Sequence, residues 1–174
     1  EGYLCPKETS EQKRGQHMIK AVIFDLDNTL YSYDANHIYG MEALAGYCRE
    51  TFGITEEETR EYYRKAGYIM ANRIGTDTAA IHSRMLRLQC MMELLEKPLF
   101  PHVQKMYHIY WDAFLQHIEP NPGVLDFLME LRKRKIRIGI GTDMTAYIQY
   151  KKLEAIGAEA VSYTHLRAHE TLRH

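Results

Sequence analysis

Two short apolar runs, Ala21 to Phe24 and Ile136 to Ile140, stand on either side of residues 34–118, where apolar positions recur at helical spacing. That order constrains the fold more than any other feature. A sheet that begins before such a stretch and resumes after it reads as one α/β domain with a helical insertion. The first run, AVIF, is short and rich in β-branched and aromatic residues, as a strand buried on both faces would be. It stops abruptly at Asp25. Asp27 follows at period two and shares that side of the chain, with Leu26 turned away. The expected fold class is α/β, a parallel sheet with an all-helical insertion.

The insertion reads as four amphipathic helices. Ile38, Met41, Ala45, Cys48 and Phe52 mark the face of the first, which Gly53 is placed to end. Thr55 with Glu58 forms a capping box for the second, which runs to about Ile74 and is closed by Gly75. Thr76 or Asp77 caps a third through Ile81, Met85, Leu88, Met92 and Leu95, until Pro98. Pro101 opens a fourth along Val103, Met106, Tyr110, Phe114 and Ile118. Short loops between such helices predict a small bundle, its aromatic and methionine stripes turned to the core.

Alternation of helix and strand resumes at Pro120. Asn121, Pro122 and Gly123 lead into a helix through Val124, Phe127, Leu128 and Leu131, whose basic end suits the helix dipole. The second strand, Ile136 to Ile140, ends at Gly141-Thr142-Asp143, and a helix from about Ala146 to Ala155 ends at Gly157.

Composition excludes several classes. With 22 basic and 23 acidic residues and a net charge of −1, there is no basic field for nucleic acid or anionic lipid. The clusters Arg132 to Arg137 and Lys151, Lys152 read as solvated helix ends and faces. Cys5, Cys48 and Cys90 are odd in number and lack zinc spacing, which fits a reducing cytoplasm with Cys48 and Cys90 in the core. No apolar run approaches the roughly 20 residues of a membrane helix, and no signal peptide is visible. The expected partner is a small molecule, with no nucleic acid and no membrane.

The chemistry lies at the two strand ends. In open α/β sheets ligands bind beyond the carboxyl ends of the strands, so Asp25 and Asp27 stand where a site would be. Two close carboxylates repel, which a hard divalent cation such as Mg2+ would offset. At the second strand end the Thr142 hydroxyl, beside the N–H groups that begin the next helix, makes a phosphate cradle.

The string AVIFDLDNTL, with Asp25, Asp27, Thr29 and Leu30, resembles the first motif of the haloacid dehalogenase-like (HAD) superfamily, and RIGIGTD, residues 137–143, resembles its second. The resemblance covers about residues 18–160. It implies a Rossmann-like parallel sheet with an inserted helical cap, and a Mg2+-dependent phosphatase of small phosphate esters, plausibly nucleotide or sugar phosphates. Asp25 then resembles the nucleophile that forms an aspartyl-phosphate, and Asp27 the general acid and base. Mg2+ would be held by the Asp25 carboxylate and the Asp27 backbone carbonyl. Thr29 would orient Asp27, Asn28 would support the loop, and Thr142 with Asp143 would meet the substrate phosphate. Asp143 departs from the family, many of whose members have Asn there.

The expected boundaries follow from polarity and periodicity along the chain. Residues 1–17 read as a disordered leader ahead of a start at Met18; 18–33 and 119–160 form the core, incomplete as a sheet; 34–118 form the cap. Residues 161–174, VSYTHLRAHETLRH, resemble translated adapter sequence and are expected to stand apart from the fold. A third-motif Lys and fourth-motif acids are not recognisable, Lys151 and Lys152 being placed on the helix directly after Thr142. The chain as given is therefore expected to be nearly inactive. The alternatives are a phosphomutase or a dehalogenase on the same fold, or a non-catalytic binding module. Asp27 disfavours a dehalogenase, since a departing halide needs no proton. Arg84 and Arg87 could reach a phosphorylated substrate from the cap, though the helical pattern places them in solvent.

Overall fold

The computed structural model describes residues 18–158 and the backbone of 165–168. The elements run β1 (Ala21–Phe24), α1 (Tyr33–Phe52), α2 (Glu56–Ile74), a short 3-10 turn (Ala79–His82), α3 (Arg84–Leu94), α4 (His102–Gln116), α5 (Val124–Lys133), β2 (Arg137–Thr142), α6 (Ala146–Ala155) and β3 (His165–Ala168). The strands form one parallel sheet in the order β1-β2-β3. All of α1 to α4 lies between β1 and β2 in the chain, so the α/β core with an inserted helical cap is the observed architecture.

Local chemistry accounts for most boundaries. Ser32 caps α1 by accepting from the Ala35 N–H, and Gly53 ends it with a left-handed φ of 72°. The Thr55–Glu58 capping box forms as the sequence indicates. The third helix starts later than expected. Thr78 caps only the 3-10 turn, and Ser83 caps α3 anew by accepting from Leu86 N–H. This break places Arg84 at the head of α3.

The cap core is the buried face of α1 against α4, with α2 and α3 closing it. Gly40 is required where α1 meets α4: a Cβ there would lie 2.7 Å from the Tyr110 ring. The expected stripe of α4, Val103, Met106, Tyr110, Phe114 and Ile118, is buried throughout. In α1 the face is rotated from the one expected, taking in Asn36, Gly40 and Leu44 while Ile38 stays about half exposed.

The sheet is covered less completely than its sequence indicates. Leu128 and Leu131 of α5 pack on Ile138, with Phe127 edge-on to Phe24. The opposite face carries Ile23, which is 77% exposed, so β1 is not buried on both faces. Among the described residues β1 pairs only with β2, and no helix covers its Ile23 side.

A second correction concerns the chain after residue 160. His165–Ala168 does not stand apart, since its backbone pairs with Gly139–Thr142 of β2. An unpaired strand edge satisfies its N–H and C=O groups with any extended segment, whatever its side chains. The expected leader 1–17 and the rest of 161–174 lie outside the described residues.

Candidate active site

Register brings the two motif ends together. Phe24 pairs with Ile140, so Asp25 and the Gly141-Thr142 end of β2 leave the sheet side by side. Asp25, Asp27, Thr142 and Asp143 accordingly line one pocket of about 260 Å³, with His82 and Arg84 of the cap on its other wall. Asn28 also lines it, in a left-handed conformation (φ 59°) that Asn tolerates. Its side chain accepts from the Asp34 N–H and donates to Asp34 Oδ2, both at 3.2 Å, tying the strand-end loop to the first turn of α1.

The two carboxylates of the first motif have different surroundings. Asp25 is exposed, and its one side-chain partner among the described residues is Thr29, whose hydroxyl donates to Oδ2 at 3.3 Å. Thr29 was expected to orient Asp27; the turn after Asp27, with Leu30 N–H bonded to Leu26 C=O, carries it back to Asp25 instead. Asp27 is half-buried and held by three donors. Lys152 Nζ lies 2.6 Å from Oδ1, the Tyr31 phenol donates to the same oxygen, and Gln149 Nε2 donates to Oδ2 at 3.0 Å.

These partners come from α6, whose inward face carries Gln149 and Lys152 at i, i+3 spacing, and from Tyr31 just beyond the motif. Gln149 also donates to Thr142 Oγ1, so a single buried amide links the two motifs. Lys152 is fully buried, not solvated as its sequence suggested, while its neighbour Lys151 is exposed and pairs with Glu154. Its ammonium sits 5.3–5.8 Å from the ring centroids of Tyr31, Tyr33, Trp111 and Phe114. Burial among these rings lowers its pKa to about 8, against the opposing pull of Asp27. Burial, reinforced by Asp27, pushes the Tyr31 phenol well above its usual range, so it remains a donor.

The cap contributes the rest. Arg84 is 9% exposed, not solvated as its helical position implied, and donates to the Tyr33 hydroxyl and, at 3.5 Å, to the His82 carbonyl. His82 has its pKa lowered by partial burial, partly offset by Asp143. Arg87, one turn on, lies over the Tyr63 ring. Asp143 is exposed at the seam, facing Thr76 and Thr78 across a smaller pocket.

Sequence reasoning missed Tyr31, Gln149 and Lys152. The available signal was weak: two polar residues on the helix face that also carries Ile148, Leu153 and Ile156.

Comparison with known proteins places this geometry. A family model described as haloacid dehalogenase-like hydrolase matches residues 19–170. Ribulose-1,5-bisphosphate 5-phosphatase from Halopiger xanaduensis is 34% identical over 142 residues, which is 80% of this chain and 59% of that protein. The chain thus spans about three fifths of the curated relative it matches. Among solved structures, 2-haloacid dehalogenase from Pseudomonas syringae pv. tomato superposes with a TM-score of 0.68 at 18% identity, over 89% of this chain and 66% of that one. A Bacillus subtilis HAD hydrolase bound to magnesium gives 0.59 at 14% identity, over 87% of this chain and 66% of that one. At such identities the structures speak for the fold. Among the described residues no helix is long and apolar enough to cross a membrane.

Proposed function

Because this chain belongs to the haloacid dehalogenase-like hydrolase family, we propose that its pocket serves a Mg2+-dependent phosphatase of small phosphate esters, sugar phosphates foremost. The observation that carries this reading is the contrast, at one strand end, between a lightly held Asp25 and a clamped Asp27. Among the described residues Asp25 takes only the Thr29 hydroxyl, on Oδ2, which leaves Oδ1 open as an attacking carboxylate requires. It forms a bond to phosphorus as the ester P–O bond breaks, and Asp27 gives the departing oxygen a proton. Asp27 then takes a proton from water, which attacks phosphorus and releases Asp25 and inorganic phosphate. Tyr31, Gln149 and Lys152 fix the Asp27 carboxyl for both transfers. The Thr142 hydroxyl, with Gln149 on its oxygen, is free to donate its own proton to a phosphate oxygen.

The donors fit a hard cation in kind, being oxygens of Asp25 and of the Asp27 main chain. Among the described residues no group of three or more His, Cys, Asp or Glu could hold a metal, so the set is short in number. Bound Mg2+ would supply charge neutralisation for the phosphoryl group. The soluble-cytoplasm reading and a small-molecule substrate are part of the same proposal. The held Asp27 favours phosphate over halide release, and a phosphomutase would need the phosphate kept on Asp25 for a second hydroxyl.

Phosphate release from an aryl phosphate and from ribulose 1,5-bisphosphate, with and without Mg2+, tests this beside the Halopiger protein. Mg2+-dependent release that is lost in Asp25→Asn is expected, at a rate well below the relative's given the short donor set. Release that survives Asp25→Asn, or chloride release from a 2-chloroacid in its place, would overturn the reading.

A further inference from the structure

We propose that the interior of the helical cap holds a small inorganic anion, chloride in kind, bound by the guanidiniums of Arg84 and Arg87 and the Tyr63 hydroxyl. Such a site serves the cap itself and stands whether or not the strand ends bind phosphate. All four cap helices contribute polar side chains to it: Tyr33 and His37 from α1, Tyr63 from α2, Arg84 and Arg87 from α3, and Tyr110 from α4. His37 is the hub, its ring centroid lying 5.9 Å from that of Tyr33, 6.2 Å from Tyr63 and 5.7 Å from Tyr110. The Arg84 guanidinium carbon lies 5.9 and 5.6 Å from the Tyr33 and Tyr110 centroids, and that of Arg87 lies 5.0 Å from the Tyr63 centroid. Gly67, one turn after Tyr63, leaves room for Arg87, since a Cβ there would stand 3.0 Å from its Nη2.

Two positive charges thus lie among rings, and among the described residues no carboxylate pairs with either. Arg84 is 9% exposed and Tyr63 is 5% exposed. The Nε atoms of both arginines and the Tyr63 hydroxyl are buried with no hydrogen-bond partner among the described residues. Arg84 otherwise donates to neutral acceptors, the Tyr33 hydroxyl and the His82 carbonyl. Ring faces and neutral oxygens leave part of the cost of burying these charges unmet. A buried water would accept from the orphaned N–H groups and leave the charges uncompensated, whereas an anion meets both needs. The potential at His37 has the sign that an anion requires. Burial lowers its pKa to about 4, and Arg84, Arg87 and Arg60 reinforce this over the weaker opposing pull of Asp34.

Geometry selects a small ion over a larger ligand. His37, Tyr63 and Arg87 line neither the 260 Å³ pocket nor a neighbouring cleft of about 390 Å³ between α3, α4 and α6. Helices packed through ring contacts leave little volume between them, which suits an ion of one atom. A halide also accepts donors from any direction, as guanidiniums and a phenol on different helices require.

The test is thermal unfolding of the full chain at constant ionic strength, with sodium chloride, sodium bromide or sodium gluconate as the salt. Chloride and bromide are expected to raise the melting temperature over gluconate by about 3 °C or more, saturably with concentration. Tyr63→Phe keeps the ring and removes the hydroxyl, and should weaken halide affinity about tenfold, read from the midpoint of the chloride titration. Arg87→Gln should abolish the chloride-dependent shift. Crystals soaked in bromide should show anomalous scattering beside Arg84, Arg87 and Tyr63. The wild-type salt comparison and the bromide position stand even if Arg87→Gln does not fold. Equal melting temperatures in the three salts, as a buried water in place of the ion would give, overturn the inference. So do a chloride-dependent shift undiminished in Tyr63→Phe and Arg87→Gln, and crystals with no bromide at these side chains.

Discussion

At the floor of the cleft three carboxylates, Asp25, Asp27 and Asp143, have one buried ammonium among them, that of Lys152; in its roof the Arg84 guanidinium lies among Tyr33 and Tyr110, with Arg87 over Tyr63 one turn on, and neither has a carboxylate partner among the described residues. The floor is short of positive charge and the roof is short of negative charge. Within the floor the same asymmetry recurs on a smaller scale. Among the described residues Asp25 has a single weak donor, and Asp27 has three that fix it. Unequal pairing of chemically identical groups is how one strand end can supply both a nucleophile and a proton carrier. In the roof the charge is offset, among the described residues, by ring faces rather than ion pairs.

Substitutions that level these differences should have effects in descending order. Asp25→Asn removes the proposed nucleophile and is expected to bring Mg2+-dependent phosphate release from an aryl phosphate down to background, the largest effect. Asp27→Asn leaves Asp25 able to attack and should cost about 10²–10⁴ in kcat with a smaller change in KM. Lys152→Met leaves the half-buried Asp27 without its ammonium. It should lower unfolding free energy by about 2–3 kcal/mol, less than a fully buried pair would lose, as read from urea denaturation. Part of that loss should vanish when the variant is made in an Asp27→Asn background, which would show that the loss comes from the pair.

The smallest effect is in the roof. His37 bonds the Tyr110 hydroxyl at 2.6 Å, and burial, then the charges of Arg84 and Arg87, lower its pKa from 6.5 to about 4. Between those values the unfolded chain takes up a proton that the folded chain refuses. Stability from this group is therefore present above pH 6.5, lost as pH falls towards 4, and level below that. Allowing for solvent screening the loss is about 1–2 kcal/mol, visible as a difference in acid sensitivity between the wild type and His37→Gln. Equal sensitivity would show that the roof does not hold this ring neutral.

The parts of this arrangement that sequence reveals are those set by neighbouring residues. A β-branched run ending in Asp25 and Asp27, a second ending in Thr142, the Thr55–Glu58 box and the α4 stripe all follow from local periodicity or capping. The missed parts depend on what a side chain meets after folding. A helical wheel places Lys152 beside Leu153 and Ile156, but nothing in the wheel says that a carboxylate waits opposite, so solvent is the natural guess. Arg84 is misread for the same reason, and its place depends on the Ser83 cap restarting a helix that periodicity alone runs through. Ile23 shows the reverse error: an apolar side chain was read as buried, but its burial requires a covering element, which local pattern does not encode.

The division of labour at the floor is tested most directly by finding where phosphate becomes attached. The protein is mixed with an aryl phosphate and Mg2+, quenched in acid within the first turnover, digested and sequenced by mass spectrometry. The account predicts phosphate on Asp25 and its disappearance in Asp25→Asn. Phosphate on Asp27, Asp143 or Thr142, or an adduct that persists in Asp25→Asn, would contradict it.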